Sequence, residues 1–187
     1  MTKHVAIVLT SRFETVEALA PVDILRRAGL HVTTISLDEH HLVNSAQHVP
    51  VTADKLYAET DMTNFDALVL PGGALDAQKY LDLEKDVAFY AHHAEKLLAA
   101  ICMAPTVVAR MGLLQGKTVT CYPTLASVLE EHGAKYTNEK VVYLEEEKIL
   151  TSQAPGSAYD FGFKIVEILL GKEKAQEIAE QMFYTLA

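Results

Sequence analysis

An α/β fold, with a mostly parallel sheet and helices on both of its faces, is predicted by three features of this sequence. Short β-branched runs alternate with helical patterns from one end of the chain to the other. The 187 residues, 50% of them hydrophobic, suffice for one well-buried core. No internal repeat, low-complexity segment or linker interrupts the alternation, so a single domain over 1–187 is expected.

The elements follow in order. "HVAIVLT" reads as a first strand, "ETVEALAPVDILRRAG" as a helix and "HVTTISL" as a second strand. After a polar stretch, "DALVLPGG" is a strand that ends in a glycine pair. "LEKDVAFYAHHAEK" is helical, "LLAAIC" a strand, and "APTVVARMG" a helix opened by Pro105, which suits a first turn because its missing N–H has no partner there. "KTVTCYP" reads as a strand and "TLASVLEEHG" as a helix. "VVYLEEEKILTS" departs from the pattern as two strands joined by a charged turn, with Glu145 to Glu147 at its solvated tip. "GSAYDFGFKIVEILLG" starts with Ser157 and Asp160 at capping-box spacing and carries Phe161, Ile165, Ile168 and Leu169 at helical intervals, so it should pack on the sheet. "KEKAQEIAEQMFYT" is a closing helix.

A net charge of -9 argues against nucleic acid or an anionic membrane as partner, since both would be repelled. The apolar runs are too short for a signal peptide or a membrane span, which points to the cytoplasm. There the two cysteines, Cys102 and Cys121, should be reduced.

Ligand sites in open α/β sheets lie beyond the carboxyl ends of the strands, which directs attention to "VLTSRFET", "VLPGGAL" and "AAICMAP". In the last, Ala100 and Ala104 flank Cys102 by two residues on each side, the spacing of a strained strand-to-helix elbow. A thiol there, at a helix N-terminus, is expected to ionise more easily than a free cysteine. A packed thiol is the alternative, since free cysteine is among the most buried residue types. Gly72 and Gly73 allow backbone N–H groups to approach a ligand. Glu14 and Glu17, three apart, share one face of a helix just beginning. Acidic residues there complement the helix dipole, so only one of the two needs a further role. If the strand ends adjoin, Glu17 reaches Cys102 and the two titrate as a pair.

Together "AAICMAP", "VLPGG", "PVDILRRAG" and "LTSQAPGSAYDFGFKIVEILLGKEKA" resemble the ThiJ/PfpI superfamily, in the branch that holds a deglycase and a bacterial chaperone. The resemblance runs from His4 to the last helix. It implies a flavodoxin-like three-layer sandwich, a homodimer, and a reactive elbow cysteine hydrogen-bonded to a protonated glutamic acid. Matched motif to motif, these are Cys102 and Glu17, with the N–H groups of Gly73 and Met103 as oxyanion donors and Gly72 beside them. The histidine that some members carry near the cysteine falls on Met103 or Tyr122 here, which disfavours a peptidase. An arginine of some relatives is Gln153. Glu14, Tyr122 and Gln153 are supporting candidates.

The expected function is a cofactor-independent glyoxalase or deglycase acting on methylglyoxal, glyoxal or their early adducts on proteins. The rival is a redox-responsive protective protein or chaperone in which Cys102 is oxidised to a sulfinic acid. No metal is expected: His40–His41 and His92–His93 are adjacent pairs, whose side chains diverge instead of chelating one ion. Cys121 is expected to be a packed thiol on its strand. Dimer contact is expected through "VDILRRAG" of the first helix.

Overall fold

The computed structural model describes residues 2–186. Its strands are β1 (His4–Leu9), β2 (His31–Ser36), β3 (Leu42–Asn44), β4 (Pro50–Thr52), β5 (Lys55–Leu56), β6 (Ala67–Leu70) and β7 (Leu97–Ile101), then β8 (Thr118–Val119), β9 (Lys135–Tyr136), β10 (Val141–Leu144) and β11 (Ile149–Ser152). Its helices are α1 (Thr15–Arg27), α2 (Ala77–Leu81), α3 (Glu84–His92), α4 (Ala104–Arg110), α5 (Ala126–Glu131), α6 (Ala158–Leu170) and α7 (Lys172–Gln181).

A seven-stranded sheet in the order β10-β11-β7-β6-β1-β2-β5 forms the middle layer. β10 runs antiparallel to β11, and the other neighbouring pairs are parallel. This is the flavodoxin-like three-layer sandwich. Strand side chains alternate between two cores. Val5, Ile7, Val69 and Ala99 pack with α1, α6 and α7, while Ala6, Val8, Leu68 and Leu98 pack under α2, α3, α4 and α5. Burial on both faces is why these strands read as continuous apolar runs. α1 and α6 lie close because residue 162 has no side chain: a Cβ there would meet Ile24 Cδ1 at 2.8 Å.

Several local expectations change. "KTVTCYP" yields only the two-residue β8, which pairs with β9 outside the main sheet, so Cys121 lies past the strand. The polar stretch after β2 holds the β3–β4 hairpin and β5, and short α2 precedes α3. Their few residues carry too little periodicity to be legible. Ser157 stands at the N-cap of α6 without capping it; its hydroxyl bonds Ser152 Oγ at 2.8 Å. Asp160 instead accepts from the Tyr184 hydroxyl. The acidic tip is not wholly solvated, since Glu147 pairs with Lys117. Phe161 and Ile165 are buried, and Ile168 and Leu169 are half-buried against the same core. The closing helix stops at Gln181, short of the expected "MFYT".

Candidate functional site

Because β7, β6 and β1 are consecutive in the sheet, the three strand ends converge. Cys102 follows β7 directly and adopts φ 66, a left-handed conformation that a residue with a Cβ rarely takes. Two backbone bonds hold it there: its N–H donates to Ser152 O at 2.9 Å, and its carbonyl accepts from Tyr122 N at 2.8 Å. Ala100 and Ala104 are both buried around the turn, and Pro105 falls in the first turn of α4.

β1 feeds α1 through a loop fixed against the β6 end: Phe13 bridges Gly73, and Glu14 N–H donates to Gly72 O at 2.8 Å. Glu14 caps α1, its Oε2 accepting from Glu17 N at 2.7 Å. Its role is therefore helix capping. One turn on, Glu17 is completely buried. Its Oε2 accepts from Gly72 N–H at 2.8 Å, while Oε1 is buried with no well-formed partner. The two carboxylates, equivalent by spacing, thus part company.

Glu17 and Cys102 crowd the same point. A methyl on Gly72 would sit 2.7 Å from Glu17 Oε2 and 3.0 Å from Cys102 Sγ, so only glycine fits there. Gly73, at φ 130, is likewise pinned, with Arg12 O 2.4 Å from where its Cβ would be. Its N–H and that of Met103 point at the Cys102 sulfur.

Burial pushes the Glu17 carboxyl up to about 7, against hydrogen bonds from Cys102 and Gly72 that favour its ionised form. The Cys102 thiol also lies above its ordinary range, raised by burial and then by the Glu17 carboxylate, while the Met103 and Gly73 N–H groups pull it down. A lowered thiol was expected from the helix N-terminus alone; α4 is only seven residues long, and desolvation plus a neighbouring carboxylate outweigh it. The pair holds protons jointly: when Glu17 is neutral, its repulsion of a thiolate disappears.

The supporting candidates are placed less centrally. Tyr122 is 40% exposed and reaches the elbow through its backbone. Gln153 Nε2 is occupied by Asn138 Oδ1 at 2.9 Å. His40, His41, His92 and His93 are exposed, and among the described residues no group of three or more His, Cys, Asp or Glu side chains could hold a metal. Cys121 is fully buried and pushed up to about 12 by desolvation. Sequence reasoning missed Tyr80, a buried residue of α2 close enough to feel the charges of Glu17 and Cys102. A lone aromatic in a five-residue helix offers no pattern to find it by.

The model of the DJ-1/PfpI family matches residues 3–168. Protein dj-1beta of Drosophila melanogaster is 36% identical over 182 residues, covering 96% of this chain and 96% of that protein. The Parkinson disease protein 7 homolog of Danio rerio is 30% identical, covering 94% of each chain. Among solved structures, oxidized Toxoplasma gondii DJ-1 superposes with a TM-score of 0.89 at 33% identity, covering 98% of this chain and 100% of that one.

Proposed function

The chain belongs to the DJ-1/PfpI family, and from that premise we propose that it is a cofactor-independent, cysteine-dependent glyoxalase or protein deglycase acting on methylglyoxal, glyoxal or their early adducts on proteins. The observation that carries this reading is a buried carboxyl, poised near neutrality, set against a thiol on a strained elbow. General acid–base catalysis is most effective when the group's pKa lies near the working pH.

With methylglyoxal, the Glu17 carboxylate takes the Cys102 proton as sulfur adds to the aldehyde carbon. The carbonyl electron pair moves to oxygen, which the N–H groups of Gly73 and Met103 hold. That oxygen then takes the proton back from Glu17, giving a hemithioacetal and restoring the carboxylate. Glu17 next carries the proton from the former aldehyde carbon to the neighbouring carbonyl carbon, while the hydroxyl proton passes from the first oxygen to the second, leaving a lactoyl thioester. Water cleaves it, releasing lactate and restoring the thiol. One dicarbonyl and one water make one hydroxy acid, so no external redox partner is needed. Pure protein should form D-lactate from methylglyoxal and Cys102→Ser should not; a wild-type protein forming none would overturn the reading.

A second reading, a redox-responsive protective protein or chaperone, is favoured by the thiol's 9% exposure and by a solved relative named as oxidized. Each peroxide passes one oxygen to sulfur and leaves as water, so two convert the Cys102 thiolate to a sulfinate beside a protonated Glu17. Mild peroxide should then add two oxygens to the Cys102 peptide. A Cys–His peptidase is disfavoured, because the two positions near the cysteine at which a histidine would serve hold Met103 and Tyr122. Two free thiols suit a reducing compartment such as the cytoplasm. No helix among the described residues is long and apolar enough to cross a membrane.

A homodimer is part of the proposal, with its contact adjusted. Ile24 and Leu25 of "VDILRRAG" are buried within the chain, and Arg27 pairs with Asp23 on the same helix. The large apolar side chain that α1 exposes is instead Val16, beside Thr15, whose hydroxyl bonds Ser45 Oγ of the β3–β4 hairpin at 2.7 Å; Leu42 and Val49 of that hairpin are exposed too. Sedimentation as a monomer at micromolar concentration would exclude this.

A further inference from the structure

Glu17 meets a single peptide group, and that group is held from its other end. The Tyr80 hydroxyl donates to Pro71 O at 2.6 Å. The N–H of the same peptide unit, on Gly72, donates to Glu17 Oε2 at 2.8 Å. Tyr80 and Glu17 are both wholly buried, so no solvent competes for either bond. The three groups form one chain: hydroxyl, amide, carboxyl. A hydrogen bond to an amide oxygen draws electrons away from the nitrogen and makes its N–H a stronger donor, so linked bonds reinforce one another. It also fixes the plane of the amide, and hence the direction in which the N–H points.

We propose that Tyr80 is a positioning residue that sets the proton affinity of Glu17 through the Pro71–Gly72 peptide, without itself touching substrate or exchanging a proton. The inference deepens the proposed function, resting on Glu17 as its acid–base group. The phenol stays protonated throughout, since burial and the nearby Glu17 and Cys102 charges hold its pKa far above the neutral range. Charged or titratable groups around Glu17 come from each packed element: Cys102 at the elbow, Glu14 at the start of its own helix, and Tyr80 on α2. Of these, Tyr80 acts on Glu17 through an intervening backbone amide.

The arrangement has a built-in control. Tyr90, on α3, is equally buried and also donates to backbone carbonyls, reaching Met62 O at 2.5 Å. That peptide leads nowhere near Glu17. Loss of either hydroxyl removes a buried hydrogen bond of the same type, and only one of them lies in the chain.

The test follows the buried carboxylic acid by its infrared carbonyl band across a pH titration of the whole protein. The band is assigned by its absence in Glu17→Gln. Tyr80→Phe should move its midpoint upward by about half a pH unit, because the ionised carboxylate loses part of its donor. Tyr90→Phe should leave the midpoint at the wild-type value. As an arm that keeps the hydroxyl and the packing, 3-fluorotyrosine at position 80, a stronger donor, should move the midpoint downward. The midpoint is read without any turnover, so a protein inactive on dicarbonyls that still shows these shifts retains the relay and loses only the catalytic reading. Equal midpoints in wild type, Tyr80→Phe and the fluorotyrosine protein would overturn the inference, as would an equal shift in Tyr90→Phe.

Discussion

Cys102 and Cys121 are both buried thiols, both carried beyond the ends of strands and both harder to ionise than a free cysteine. Cys121 owes its shift to desolvation, and its S–H donates to the adjacent Tyr122 carbonyl. Cys102 is held at φ 66, faces two backbone N–H groups and shares its surroundings with a carboxyl that titrates near neutrality. Burial alone makes a thiol inert. In the proposed function, a base for its proton and donors for the charge that follows are what would make Cys102 a nucleophile.

The contrast breaks first at the sulfur. Cys102→Ser should lower dicarbonyl turnover by at least about a thousandfold, and Cys121→Ser should leave it within about twofold. Lactate formation by the two proteins side by side is the measurement, and equal losses would erase the distinction between the thiols. Glu17→Gln comes next. It keeps a neutral group able to accept from Gly72 but cannot take a proton, so turnover should drop by about a hundredfold or more while circular dichroism stays unchanged.

The third expectation concerns stability. In the folded chain Glu17 titrates at about 7, against an ordinary value of 4.5, so its protonated form is the one the fold favours. The wild type is therefore relieved of this strain below about pH 4.5 and loses stability as pH rises through 7. Glu17→Gln removes the charge, and its stability relative to wild type should grow by about 3 kcal/mol between those limits. Urea midpoints of both proteins at pH 5 and pH 8 decide it. The smallest effect falls on Cys121→Ala, which leaves a void the size of one sulfur and should cost about 1 kcal/mol. If peroxide oxidised Cys121 before Cys102, the contrast would be reversed.

How far this site was legible depended on whether its residues announce themselves through chain geometry. The elbow did so, because small residues at fixed spacing around a strand-to-helix corner have few other uses, and Gly72–Gly73 marked the facing turn. Glu17 was reachable only on the condition that the strand ends adjoin, and the family resemblance matched it to the cysteine's partner; by spacing alone it matched Glu14, and the cap bond that separates their roles is a three-dimensional fact. The thiol's proton affinity was misjudged because the helix end is visible in sequence and desolvation is not. Tyr80 and the Ser152 carbonyl were invisible, since they reach the site across the sheet from elements with no chemical signature of their own. In the fold, the long apolar strands and helices were readable, while β3, β4, β5 and α2 were too short to show a period.

The clamp on Cys102 has a consequence for biosynthesis. The Ser152 carbonyl and the Tyr122 N–H that hold its backbone both lie downstream, on segments made after the thiol itself. Glu17 and Gly72, by contrast, precede it. A parallel sheet whose neighbours are distant in sequence closes slowly, so the nascent chain carries a complete partner set on one side of the sulfur and none on the other. The interval between translation of Cys102 and docking of β11 is therefore when this thiol is most open to unselective oxidants, and chaperone capture during synthesis would guard the site itself as well as the fold.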